Sequence, residues 1–142
     1  MAIMDYRLEF CDATTLAGAI ATTVRGNIID LGAAGDVGDG TPIYMHVRMG
    51  ATAAATTSGL AHGTLAFYLQ ESASTTAASF ANCITLKSAT ATSTSYAAGY
   101  KVYDGALPAR TYKRYLRLAT AIATSELVAG TCDAFLSLDP VD

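Results

Sequence analysis

Few residues in this chain are equipped for acid–base or nucleophilic chemistry. There are two histidines, His46 and His62, and three cysteines, Cys11, Cys83 and Cys132. His46 stands between Tyr44 and Arg48 in an alternating run, which predicts an outward-facing side chain on a strand. There a solvated or interface histidine is expected, not a general base. His62 ends a run of small residues just before Gly63 and has no catalytic partner beside it in sequence. No serine occupies a Gly-x-Ser-x-Gly elbow, and no cysteine lies in a protease-like motif. The cysteines are odd in number and far apart, so they read as reduced, buried small hydrophobes and not as a disulfide frame or a metal site. The expectation is a protein that is not an enzyme.

Ligand sites fare no better. The segment Gly35-Asp36-Val37-Gly38-Asp39-Gly40 offers two carboxylates, whereas calcium takes six to eight oxygens, so a plain turn is expected there. No glycine-rich turn precedes a Lys-Ser/Thr pair as phosphate binding would require. A cupin-type metal centre needs several histidines with a carboxylate, which two unpaired histidines do not supply. No cofactor and no metal are expected.

The elements that would position any site are strands. In Thr111–Ala123, Leu116, Leu118 and Ile122 alternate with Tyr115 and Arg117, the period of two that a half-buried strand requires. A turn at Ala129-Gly130 leads into a second run of this kind, through Phe135, Leu136 and Leu138. Earlier, Tyr6, Leu8 and Phe10 predict a short strand that Cys11 to Thr15 breaks. Residues 13–25 predict a loop or a weak helical turn, and Asn27–Leu31 a second strand. From Pro42, Ile43, Met45, Val47 and Met49 face one way and Tyr44, His46 and Arg48 the other. Gly50–His62 predicts a long loop. Leu65, Phe67 and Leu69 point inward and Tyr68 outward in the next strand, and Glu71–Ser79 is a polar connection. Cys83–Lys87 and a strand from Lys101 toward Leu107-Pro108 follow, separated by a loop over 88–98. About eight short strands with turn-rich connections predict an all-β jelly-roll sandwich of two antiparallel sheets, with 1–142 as one domain.

Composition narrows the partners. The formal net charge is -3 and charged residues are 15% of the chain, without the basic stripe of a nucleic-acid binder. No apolar run approaches the ~20 residues of a membrane-spanning helix. Met1–Arg7 lacks the basic opening and apolar stretch of a secretory leader, so synthesis in a cytoplasm is expected. A surface rich in Ala, Thr, Ser and Tyr is poorly defended against association, and a covering partner is expected. The outward Tyr44, His46, Arg48, Tyr68, Tyr115 and Arg117 are the candidate interface residues, being mostly of types enriched where proteins meet. Solvated cross-strand neighbours are the bland alternative for each.

Several segments are similar to a known group. Leu8 to Thr14, Gly26 to Gly32, Arg114 to Leu118 and Ala129 to Pro140 resemble, in order, the capsid cement proteins of tailed bacteriophages. More narrowly, they resemble the family typified by the Bordetella phage cement protein. The resemblance implies a jelly-roll decoration protein on the outer surface of the virion. As a homodimer it would bridge and stabilise neighbouring major capsid protein subunits of HK97-like fold. It brings no catalytic residues. The competing expectation is a carbohydrate-binding, lectin-like jelly roll or phage adhesin. Against it stand the lack of Trp and an aromatic content of 8%.

Overall fold

The computed structural model describes residues 8–37, 42–55, 63–90 and 95–138. Its strands are β1 (Glu9–Thr15), β2 (Thr22–Asp30), β3 (Gly35–Val37), β4 (Tyr44–Ala55), β5 (Thr64–Ser72), β6 (Ala81–Thr90), β7 (Lys101–Ala106), β8 (Arg110–Tyr112), β9 (Tyr115–Ala123) and β10 (Leu127–Ser137). Among the described residues there is no α-helix, and a short 3-10 turn, Ala77–Ser79, lies between β5 and β6.

Two four-stranded sheets carry the fold, in the orders β1-β10-β4-β7 and β2-β9-β5-β6. All their pairings are antiparallel. The chain passes from one sheet to the other at nearly every connection, and only β5 and β6 are consecutive neighbours. This is the strand order of a jelly roll, as expected from the sequence. The two short strands β3 and β8 lie in the β2–β4 and β7–β9 crossings and pair with each other, joining those crossings in a small third sheet.

Alternation sorts the side chains as the sequence predicted. Met45, Val47 and Met49 of β4, Leu65, Phe67 and Leu69 of β5, and Leu116, Leu118 and Ile122 of β9 are all buried between the sheets. Cys132, Ala134 and Leu136 of β10 join them, and Phe10, Leu16, Tyr96 and Tyr112 belong to the same buried cluster.

The differences from the sequence expectation fall where residues are small or the ladder is irregular. β1 is not broken at Cys11 but runs on to Thr15, with register shifts on either side of Cys11 and with Ala13 at φ 44°. Bulges of this kind blur a period of two. The predicted loop over 13–25 contains the start of β2, and the loop over 50–62 is β4 as far as Ala55. Small residues hide that extension because backbones approach closely there: a Cβ on Gly130, at φ 128°, would sit 3.1 Å from the Cα of Ala53. β6 likewise extends to Thr90. Glu71, expected in a polar connection, is the penultimate residue of β5 and is buried, accepting from Arg110 Nη2 at 2.9 Å and from the Lys113 amide at 3.1 Å. Gly35–Val37 is strand β3, not turn. Tyr6, Arg7, Asp39, residues 56–62 (His62 among them) and residues 91–94 lie outside the described residues.

Along one side, the sheets close where β1 meets β2. Gly26 makes this approach possible: its φ is 75°, and a Cβ there would overlap the carbonyl oxygen of Phe10. Gly26→Ala is therefore expected to cost more than about 2 kcal/mol through strain and overlap. Gly105→Ala, with nothing within 4 Å of the added carbon, should stay within about 0.5 kcal/mol. Urea denaturation of the two variants beside the wild type measures both.

Candidate interaction surfaces

The six outward residues separate into two groups, one on each outer face of the sandwich. Tyr44, His46 and Arg48 alternate along β4. The strand register sets Tyr44 between Ser137 and Ala106, His46 between Phe135 and Asp104, and Arg48 between Asp133 and Lys101. Tyr68, Tyr115 and Arg117 stand on the other sheet, where Tyr68 pairs with Ala119 and Arg117 with Gln70.

His46 corrects the expectation of a solvated histidine. It does face away from the core, but it is 0% exposed. Phe135 stacks on it with ring centroids 5.0 Å apart. Its Nδ1 lies 2.6 Å from Asp104 Oδ1 and its Nε2 lies 3.0 Å from Ser137 Oγ. Lys101 Nζ holds the second Asp104 oxygen at 2.7 Å. The Lys101 hydrogen bond, then that of His46, pulls the Asp104 carboxyl below the usual aspartate range. Side chains of β7, β4 and β10 are thereby pinned across three adjacent strands.

Ser137, His46 and Asp104 have the connectivity of a hydrolase triad. With Asp104 accepting from Nδ1–H, the Nε2 lone pair accepts from the serine hydroxyl. A general base must also reach the leaving group to return the proton. The His46 ring is covered, and the arrangement ties β10, β4 and β7 together.

Arg48 is half-buried, and its Nε and Nη2 atoms are enclosed without a hydrogen-bond partner. Its cross-strand neighbour Asp133 instead accepts from the Ala13 amide through Oδ1 at 2.6 Å.

On the opposite face Arg117 is also enclosed, at 8% exposure. Its Nε donates to Gln70 Oε1 at 2.7 Å and its Nη2 to the Ala77 carbonyl at 3.2 Å. The guanidinium lies 4.0 Å from the centre of the Phe80 ring. Arg117 thus fastens the β5–β6 connection over its sheet. Tyr44, Tyr68 and Tyr115 are half-exposed, and Arg114 covers the Tyr115 ring at 5.0 Å while pairing with Asp30 at 2.8 Å.

Sequence reasoning missed three contributors. Phe135 and Asp104 build the His46 cluster, and alternation along β10 (Cys132, Ala134 and Leu136 inward) was the signal that puts Phe135 outside. Arg25, which fell in a predicted loop, is a buried inner-face residue bonded to Thr120 Oγ1 at 2.8 Å. No periodic signal marked it. Exposed apolar side chains also lie on edge strand β2, with Val24 at 40% and Ile28 at 39%. Among the described residues, no group of three or more His, Cys, Asp or Glu is placed to hold a metal ion. Among the described residues no helix is long and apolar enough to cross a membrane.

A two-layer β body of jelly-roll order, with aromatic and basic side chains on both outer faces, is the class defined so far. The Bbp16 family, named for a Bordetella phage protein, matches the chain over residues 11–136. The chain belongs to that family. No curated protein matches it.

Arg117→Ala should lower stability by about 1–3 kcal/mol by leaving Gln70 and the Ala77 carbonyl unmet. Hydrogen exchange should accelerate mainly in residues 73–80, which separates an unfastened connection from general unfolding. A second expectation concerns acid. Hydrogen bonds from Arg114, then from the Gly32 amide, hold the Asp30 carboxyl at about 2. A depressed folded-state value means that its stabilisation is in place above about pH 4 and is lost as the pH falls toward 2. The melting-temperature gap between wild type and Asp30→Asn should therefore be widest near neutral pH, narrow below about pH 4 and close toward pH 2, shrinking also in high salt.

Proposed function

We propose that this protein is a capsid cement protein of a tailed bacteriophage. It decorates the outer surface of the icosahedral shell as a homodimer and bridges neighbouring major capsid protein subunits of HK97-like fold. Membership of the Bbp16 family over residues 11–136 carries the reading, together with the ordered resemblance of four segments to phage cement proteins. The chemistry agrees with it. Such a protein performs no reaction and needs a stiff body with adhesive faces. The three half-exposed tyrosines supply apolar bodies with polar tips. A dimer engaging two places at once gains about 10²- to 10⁴-fold in avidity where geometry permits. Whatever binds the assembled shell but not its dissociated subunits favours the shell by mass action.

The test uses purified virions and reconstituted shells. The protein should be present in particles by mass spectrometry, and added protein should co-sediment with expanded shells. Tyr68→Ala combined with Tyr115→Ala should weaken that decoration at least about tenfold, a loss of ~1.4 kcal/mol, with the melting temperature nearly unchanged. Tyrosines are the informative choice because removing Arg117 disturbs the fold itself. Absence from particles, or undiminished decoration by the double variant, counts against the respective parts of the proposal. A hydrolytic alternative draws on the Ser137–His46–Asp104 connectivity alone. Turnover of an activated ester that is lost in Ser137→Ala would favour it; equal background rates for the two proteins are expected.

A further inference from the structure

Two of the three thiols, distant in sequence, meet in space. Cys11 on β1 and Cys132 on β10 have their sulfurs 3.8 Å apart, and the residues are 5% and 0% exposed. Cys11 pairs with Ala134, and Thr14 with Cys132, so the two cysteines are diagonal neighbours on adjacent antiparallel strands. We propose that Cys11 and Cys132 are a redox pair, closing to a disulfide that staples edge strand β1 to β10.

The geometry asks for little. A disulfide needs the sulfurs at about 2.05 Å, so the gap closes by under 2 Å. The strand that must yield is the irregular one. β1 shifts register on both sides of Cys11 and has pairing neighbours on one side only. The pair is also chemically unequal. The Cys132 thiol, by hydrogen-bonding to Cys11, lowers the Cys11 pKa, while the same bond and burial push that of Cys132 up. The Arg25 guanidinium lies close enough to feel both sulfurs. Cys11, on the edge strand and the less deeply buried of the two, is the attacking thiolate and Cys132 the resolving thiol.

A low-molecular-weight disulfide serves as oxidant. The Cys11 thiolate attacks one of its sulfurs and releases one small thiol. Cys132, deprotonated, then attacks Cys11 in the mixed disulfide and releases the second. Two protein thiols become one disulfide while one small disulfide becomes two small thiols. The chemistry stands apart from the capsid role. Only its timing rests on that role, with free thiols in the reducing cytoplasm and a bridge after release into an oxidising medium. Cys83 is a built-in control, lying on β6 of the other sheet with burial pushing its thiol up to about 11.

The experiment incubates folded wild-type protein with oxidised glutathione, then alkylates in denaturant. The expected product has lost the mass of two hydrogens, carries alkyl groups on Cys83 alone, and yields a linked peptide containing Cys11 and Cys132. Its melting temperature rises by several degrees and falls back on reduction, because the bridge spans 121 positions of sequence and constrains the unfolded chain. Cys83→Ser should behave in the same way, while Cys11→Ser and Cys132→Ser should give no internal bridge and no rise. Three alkylated cysteines, glutathione mixed disulfides without a link, or a link involving Cys83 would each overturn the proposal. Because the wild type is measured directly, a variant that folds poorly does not obscure the answer.

Discussion

A buried arginine sets the terms for the closure of this sandwich. Arg25 lies on the inner face of β2, opposite Leu118, where an unmet charge would be strongly destabilising. It is met by Thr120 Oγ1 on β9 and by the carbonyls of Thr15 at 2.7 Å and Leu16 at 3.3 Å, where β1 ends. The guanidinium therefore spans from one sheet to the other. The next residue, Gly26, lets the backbone of β1 pass at a distance no side chain would tolerate. Binding the charge and admitting the backbone are two halves of one seam. That seam holds edge strands β1 and β2 against each other.

On the far surfaces the same logic operates with weaker groups. Polar side chains turned away from the core are not left to water but are tied across strands. His46 reaches Asp104 and Ser137 on the strands to either side, and Arg117 reaches Gln70 and the Ala77 carbonyl. Phe135 and Phe80 lie against these cations or rings. This stiffens faces that hold few free charges, and a stiff face loses less conformational entropy on docking. The tyrosines that remain half-exposed are then presented on a prepared surface.

How much of this could be read from the sequence depended on side-chain size. Where large apolar residues alternate, as in Met45, Val47 and Met49 or Leu116, Leu118 and Ile122, the strand, its inner face and the jelly-roll class were all legible. Where Ala, Gly and Thr carry a strand, as in Gly50–Ala55, no contrast between faces exists to be read, and the pairing with β10 shifts register there as well. The alternation told which face His46 and Arg117 occupy but not that their neighbours would cover them. Cover comes from Phe135, from Phe80 and from cross-strand bonds, and thus from register, which a single strand does not encode. The meeting of Cys11 and Cys132 was invisible for the same reason.

One further consequence comes from the pairing of β1 with β10. Glu9 lies opposite Phe135, so the described chain enters and leaves the body through adjacent strands at a shared pole. The points at which a segment joins β1 and leaves β10 are therefore neighbours on the body. A peptide cargo fused at either position would be displayed from one place. A short bridge between the two positions would let the backbone be reopened at a distant turn without altering the order of strands in either layer.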